Sequence, residues 1–266
     1  FQIYSIFQFI LVSLIYLVGF VIPALRLTSL NHDITLSKAF NYQVIGMGLN
    51  NVLPLKAGEG LKSVYLKKVT NLRYRDIIPL VFIERFYDIN LLIAIYILVL
   101  PFDIYYVSTV IVALVLLWIM LFLMNAQQNI FTWIIDRVKI SNKNKEILYS
   151  LIKNVTSAVH KKNALKVIIY TIIGWLLQLF LYYVILVYYS GFNLALSDLI
   201  KLLVFSSLAI ALPSAPAGIG VYEAVMVGTL MSLGVEKEAS LAAAIFMHIA
   251  QVFPTVAYTI IILIKS

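Results

Sequence analysis

The amino-acid sequence predicts an all-α polytopic membrane protein, built as an inverted-topology repeat with two Pro/Gly-broken re-entrant hairpins. Three observations predict this: an extreme apolar composition, long apolar segments separated by basic loops, and a match of the chain to itself at an offset of 160 residues.

Hydrophobic residues make up 62% of the chain, 12% are charged, and the mean hydropathy is +0.98. A soluble domain is typically about 45–50% apolar and about 25% charged. With 266 residues, a membrane unit leaves no room for a soluble enzyme domain of ordinary size. Residues 1–266 therefore read as a single transmembrane domain. The sequence contains no cysteine, which excludes disulfides, zinc–thiolate sites and thiol nucleophiles. His32, His160 and His248 lie far apart without metal-ligand spacing, and no nucleophile or phosphate-loop motif is present. The reading is a protein that is not an enzyme and uses no cofactor. Net charge is +8. Because the basic residues sit between apolar segments, they report orientation in a cell membrane, not nucleic-acid binding.

A spanning helix needs about 20 apolar residues. The stretch 3–25 qualifies; it is uncharged up to Leu25, ends at Arg26, and lacks the basic leader and cleavage site of a signal peptide. Residues 36–72 begin as an apolar stretch broken by Pro54 and by Gly58 and Gly60, which argues against a plain helix. Residues 77–100 read as a second span and 104–124 as a linking helix. Residues 125–165 form a polar segment whose charges continue to Lys166. Spans 166–189 and 240–264 flank a second broken stretch, 196–235, which carries Pro213, Pro216, Gly218 and Gly220. The basic clusters at 56–76 and 136–166 fall on the cytoplasmic side by the positive-inside rule.

The offset of 160 aligns Leu36-Ser37 with Leu196-Ser197, Val44 with Val204, Ala57-Gly58 with Ala217-Gly218 and Gly60 with Gly220, six identities in 25 positions. It also places Phe86 on Phe246 and Asp88 on His248. Repeat 1 is then 3–100 and repeat 2 is 166–264. If each broken stretch returns to its starting side, the second repeat begins with the opposite polarity. Transporters of this design bind substrate near the bilayer midplane at broken helices. An ordinary pair of kinked helices is the competing reading.

Chemistry concentrates at few positions. Glu84, Arg85 and Asp88 lie roughly 10–17 Å into the span starting near Ile77, at about 1.5 Å per residue. Charges at that depth persist when paired or facing a cavity. They read either as an ion-pair lock or as a headgroup site, with Arg85 on the anion and the carboxylates orienting it. Gly58 and Gly60, like Gly218 and Gly220, fit close approach of a ligand or of a neighbouring helix. A half-helix starting there offers free N–H groups to a phosphate. Glu223 follows Gly220 by three residues, as a helix cap or a site residue. His248 reads as a packing residue or a proton relay. Lys56, Glu59 and Lys62 flank the first break, where they draw in a headgroup or simply mark the cytoplasmic side. Asn51 precedes Pro54 in an apolar setting and needs a partner.

Three motifs occur in order: Asn51-Val-Leu-Pro-Leu-Lys-Ala-Gly-Glu59, Glu84-Arg-Phe-Tyr-Asp88 and Pro216-Ala-Gly-Ile-Gly-Val-Tyr-Glu223. Together they resemble the lysylphosphatidylglycerol synthase transmembrane family, also described as flippase-like, across essentially the whole chain. Lys56 stands where the family often has Arg, and Val225 is apolar. The resemblance implies a stand-alone member without the soluble synthase domain. Such a member moves an anionic or aminoacylated phospholipid, or a polyprenyl-phosphate carrier, between leaflets. Its partners are membrane lipids with anionic headgroups, and a homo-oligomer is compatible with this reading. A lipid-binding accessory protein and a membrane enzyme acting on a lipid phosphate are the alternatives.

Overall fold

A computed structural model describes residues 4–99, 164–211 and 215–265, together with scattered positions between 108 and 149. The linking helix 104–124 and the polar segment 125–165 fall almost wholly outside the described residues. Helices and the turns joining them account for every element among the described residues.

The chain begins with α1 (Ile6–Gly19) and α2 (Val21–Leu30). Ser5 caps α1 by accepting the Gln8 amide, while the Gln8 side chain accepts the Ser5 amide. The break at Phe20 follows from Pro23, which cannot donate to the Gly19 carbonyl and crowds the turn before it. The sequence reading ended this span at Arg26. In the structure the helix carries on to Leu30, and Arg26 is buried within it.

Next come α3 (Leu36–Val52), a 3-10 turn (Pro54–Lys56), α4 (Ala57–Val69) and α5 (Tyr74–Val99). Further along the chain lie α6 (Ala164–Tyr182), continued as a π-helical segment (Tyr183–Tyr189), and α7 (Leu196–Ala211). A second 3-10 turn (Pro216–Gly218), α8 (Val221–Ser232) and α9 (Lys237–Lys265) complete the chain.

Each broken stretch is thus a helical hairpin with proline opening its turn, the position where a missing N–H costs least. Both turns use left-handed backbone: Leu55 and Lys56 at φ 59° and 58°, Ala217 at φ 57°, Gly218 and Gly220 at φ 77° and 86°. Three of these five are not glycine, a conformation that costs roughly 1–2 kcal/mol per residue.

The paired glycines serve differently in the two hairpins. Gly218 and Gly220 form the turn itself. Gly58 and Gly60 sit in the first turn of α4, past the 3-10 turn. A Cβ at Gly58 would lie 2.4 Å from the Gly46 carbonyl oxygen, so this glycine lets α4 approach α3. Around Gly60 a Cβ would meet nothing within 4 Å.

Two apolar cores hold the helices. One joins Ala24 and Leu27 of α2, Tyr42 of α3, Leu66 of α4 and Ile83 of α5. The other joins Val12 of α1, Leu186, Leu202 of α7, Met226 of α8 and Met247 of α9. Between them α3 packs along α9, and the two 3-10 turns touch.

Among the described residues, three stretches are long and apolar enough to cross a membrane: Ile6–Leu30, Ala164–Tyr189 and Lys237–Lys265. Their outer faces expose Phe7, Ile10 and Leu14, Ile169 and Leu176, and Ile249, Phe253 and Ile260. Such continuous apolar surface is tolerated against lipid and not against water. Helix α5 has the length, at 26 residues, but carries Glu84, Arg85 and Asp88.

Candidate lipid-headgroup site

The charged residues of α2, α4 and α5 form one chain of alternating sign. Arg26 grips Asp88 with both guanidinium nitrogens, at 2.6 and 3.2 Å, and donates to Thr171 Oγ1 at 3.1 Å. Asp88 Oδ2 also faces Arg85 Nη1 at 3.8 Å. Arg85 Nη2 lies 3.4 Å from Glu59 Oε1. Lys62 Nζ bridges Glu59 at 2.8 Å and Glu84 at 3.3 Å. The Gln43 amide donates to the other Glu84 oxygen. Three cations meet three anions, so the chain is neutral as a whole.

Local structure explains the placement. Glu59 and Lys62 are i, i+3 on α4, as Arg85 and Asp88 are on α5, so each pair shares a face. Glu84 points the other way from Arg85, into the protein, and is fully buried. Lys62 is 1% exposed, its ammonium 4.8 Å from the centre of the Tyr42 ring. A buried charge without a partner is strongly destabilising, so Arg26–Asp88 and Lys62–Glu84 act as locks between helices.

Arg85 departs from this pattern. Half of its side chain is exposed, whereas those of Arg26 and Lys62 are almost fully buried, and its two carboxylate contacts, at 3.4 and 3.8 Å, are the longest in the charged chain. Lys56, half-buried in the turn before α4, has Glu59 and Arg85 as its electrostatic neighbours. The sequence grouped Glu84, Arg85 and Asp88 together. The structure divides them: two carboxylates are locked, and the guanidinium is left open.

Glu223 and His248 form a second, separate group. Glu223 Oε1 lies 2.5 Å from His248 Nδ1, and its other oxygen accepts the Gly220 amide at 2.7 Å. The one carboxylate thus caps α8 and reaches α9. His248 Nε2 lies 3.0 Å from the Ala217 carbonyl oxygen. Both line a groove of about 560 Å³ that runs along α9, past Ile245, Ile249, Val252 and Phe253. No ion pair among the described residues links this group to the charged chain.

Asn51 stands apart from both groups, donating to Thr255 Oγ1 at 2.9 Å and tying α3 to α9. Gly58, Gly218 and Gly220 shape backbone, while Gly60 lies open beside Glu59. Sequence reasoning missed Arg26, Gln43 and Thr171. Arg26 had a signal, being the one charge in the first 30 residues. Gln43 and Thr171 lie on largely apolar helices that carry other polar residues, Asn41 and Gln178 among them, and nothing local singles them out.

Neither a curated protein nor a solved structure matches the chain. A family model described as the lysylphosphatidylglycerol synthase TM region matches residues 4–258. The chain therefore belongs to the lysylphosphatidylglycerol synthase transmembrane family, membrane proteins of lipid modification or transport.

Proposed function

We propose that this protein moves a lipid between the leaflets of the cell membrane, as a multi-pass carrier of flippase or scramblase type and not as an enzyme. Its cargo has an anionic headgroup: an anionic or aminoacylated phospholipid, or a polyprenyl-phosphate carrier. The two hairpins are re-entrant and belong to an inverted repeat.

The packing supports the repeat. Helix α3 packs on α4 and on α9; its counterpart α7 packs on α8 and on α5. Helix α1 meets α9, and its counterpart α6 meets α5. The two turns meet one another. Exchanging the first set of elements for the second maps these contacts onto one another, as a two-fold axis would. Such an axis in the membrane plane, with binding where broken helices meet, is the arrangement of many transporters.

One observation carries the choice of cargo. Arg85 is the exposed, loosely held cation of a chain whose other members are buried or tightly paired. A phosphate approaching it displaces two long contacts and leaves both locks intact. The planar guanidinium then offers two parallel donors to the phosphate oxygens. Lys56 stands next to it, and the carboxylates, already held by cations, have little left to offer as acid or base.

Reconstitution in vesicles carrying a fluorescent phosphatidylglycerol in both leaflets tests this. An impermeant quencher removes the outer-leaflet signal from empty vesicles and a larger share where the lipid exchanges. We expect the larger share with the unaltered protein and the empty-vesicle value with Arg85→Gln, which leaves both locks in place. No exchange above empty vesicles, across anionic, aminoacylated and polyprenyl-phosphate probes, would overturn the proposal. Saturable lipid binding without exchange would point to an accessory lipid-binding protein.

A further inference from the structure

The contacts of His248 impose a proton count. A carbonyl oxygen can only accept, so the 3.0 Å contact with Ala217 requires a hydrogen on Nε2. The 2.5 Å contact between Nδ1 and Glu223 Oε1 requires a second hydrogen, on the ring or on the carboxyl group. A neutral imidazole facing a carboxylate has one hydrogen for the two contacts. One of them must then set lone pair against lone pair.

We propose that Glu223 and His248 form a proton-binding latch: one proton shared between them holds the second hairpin against α9, and its release lets the hairpin part from α9 beside the groove. The ring reaches from α9 to the Pro216–Gly218 turn on one side and to the first turn of α8 on the other. Losing the proton sacrifices one of these two attachments. Ala217, whose carbonyl the ring holds, is a non-glycine residue at φ 57° and ψ −4°. Without the bond that strained conformation loses a restraint. Because the pair lines the groove, the same event changes the shape of the groove.

Tyr222 of α8 lies against the ring, with centroids 4.6 Å apart and the ring planes tilted by 39°. Helix α1 carries no charged residue, and the π segment carries none. Helix α3 presents Asn51, bonded to Thr255, and has Lys38 near its start. Asp198 and Lys201 of α7 pair with each other. The Pro54–Lys56 turn brings Lys56, whose charged neighbours are Glu59 and Arg85. The charges of α9 itself, Lys237, Glu238 and Lys265, are at its ends. Among the described residues no third charged group pairs with either member. The latch stands whether or not lipid is moved.

The absence of cysteine makes the test direct. Ala217→Cys places a thiol at a position 4% exposed beneath the latch, and Ile219→Cys places one at a position 65% exposed beside it. The ratio of their maleimide labelling rates in vesicles removes the pH dependence that the two thiols share, and the His248→Gln background removes what differs between them. We expect that ratio to rise with pH in a single-proton step and the step to disappear when His248→Gln is added. A flat ratio, or the same step with His248→Gln, would overturn the latch. Should the substituted turn fold poorly, His32→Gln/His160→Gln leaves His248 as the one histidine, for nitrogen-15 NMR alongside infrared spectroscopy. The shared proton then shows as a doubly protonated ring or as a carboxylic-acid band, either of which Glu223→Gln removes. A singly protonated ring beside an ionised Glu223 at every pH refutes the proposal.

Discussion

The two hairpins share an architecture and differ in chemistry. In each, a proline opens a 3-10 turn, a left-handed residue precedes the second helix, and a glutamate sits three residues after it. Glu59 follows Lys56 in this way, and Glu223 follows Gly220. Each glutamate reaches for a base on the long helix that follows: Glu59 for Arg85 on α5, Glu223 for His248 on α9. The first pairing lies in a network of permanent charges, with Lys62, Arg26 and Asp88 around it. The second stands alone among apolar side chains. One scaffold thus presents a fixed cation to an anion on one side and a titratable pair on the other. The base differs, arginine in one hairpin and histidine in the other, and so do the charges around it.

Breaking a lock in the first hairpin should produce the largest loss. Glu84→Leu leaves Lys62, 1% exposed, with Glu59 as its remaining anion and leaves the Gln43 amide only the more distant Pro23 carbonyl as acceptor. Removing one partner of a buried pair costs about 3–5 kcal/mol. Thermal unfolding in detergent should show this as a much lower midpoint. Lys62→Met added to Glu84→Leu should recover much of it, since a buried pair exchanged for apolar residues is often neutral. A double variant as unstable as the single one would mean that the pair does more than satisfy itself. Glu223→Gln should cost far less, because Glu223 keeps a fifth of its side chain exposed and Gln can still accept the Gly220 amide.

Alanine at glycine sharpens the contrast at an intermediate scale. Gly58→Ala drives a methyl into the backbone of α3, an overpacking that costs about 1–3 kcal/mol. Gly220→Ala meets no neighbour and is penalised through its φ of 86°, by roughly 1–2 kcal/mol. Similar losses would thus have different origins. A larger side chain separates them: Gly220→Asn should cost about as much as Gly220→Ala, since a ψ of −45° lies outside the left-handed helical well that asparagine tolerates, whereas Gly58→Asn should be worse than Gly58→Ala. Equal responses at the two positions would contradict the assignment.

Much of this was legible from the sequence because it is local. Apolar runs gave the long helices, and Pro54 and Pro216 gave the two breaks. The offset of 160 even aligns the first residues of α3 and α7. The same offset misleads at the glycines. Each turn begins at its proline, which stands three residues before Ala57-Gly58 but immediately before Ala217-Gly218. Identical dipeptides therefore fall in a helix in one hairpin and in the turn in the other. Arg26 was read as the end of a span because a lone arginine after 25 uncharged residues usually marks the membrane edge. Its partner Asp88 is 62 residues away, and no local pattern carries that pairing. Glu84 and Arg85 are neighbours in sequence but face opposite ways, so their different roles emerge only when α3 and α4 close over one of them.

The smallest expected effect is the most diagnostic for what approaches the first hairpin. Gly60 lies in helical backbone in the first turn of α4, exposed, with no atom within 4 Å of where a Cβ would stand. In such a setting alanine stabilises the helix by about 0.5–1 kcal/mol, through lost freedom of the unfolded chain. Gly60→Ala should therefore raise the unfolding midpoint slightly in detergent, opposite in sign to Gly58→Ala two residues earlier. The same variant also adds a methyl one residue after Glu59, on the open side of the Arg85 chain. If a headgroup seats there, exchange in vesicles should fall although the protein is more stable. If exchange is unchanged, the approach to Arg85 runs past Lys56 and not over α4. A lower midpoint in detergent would show instead that something presses on Gly60, such as a second copy of the chain.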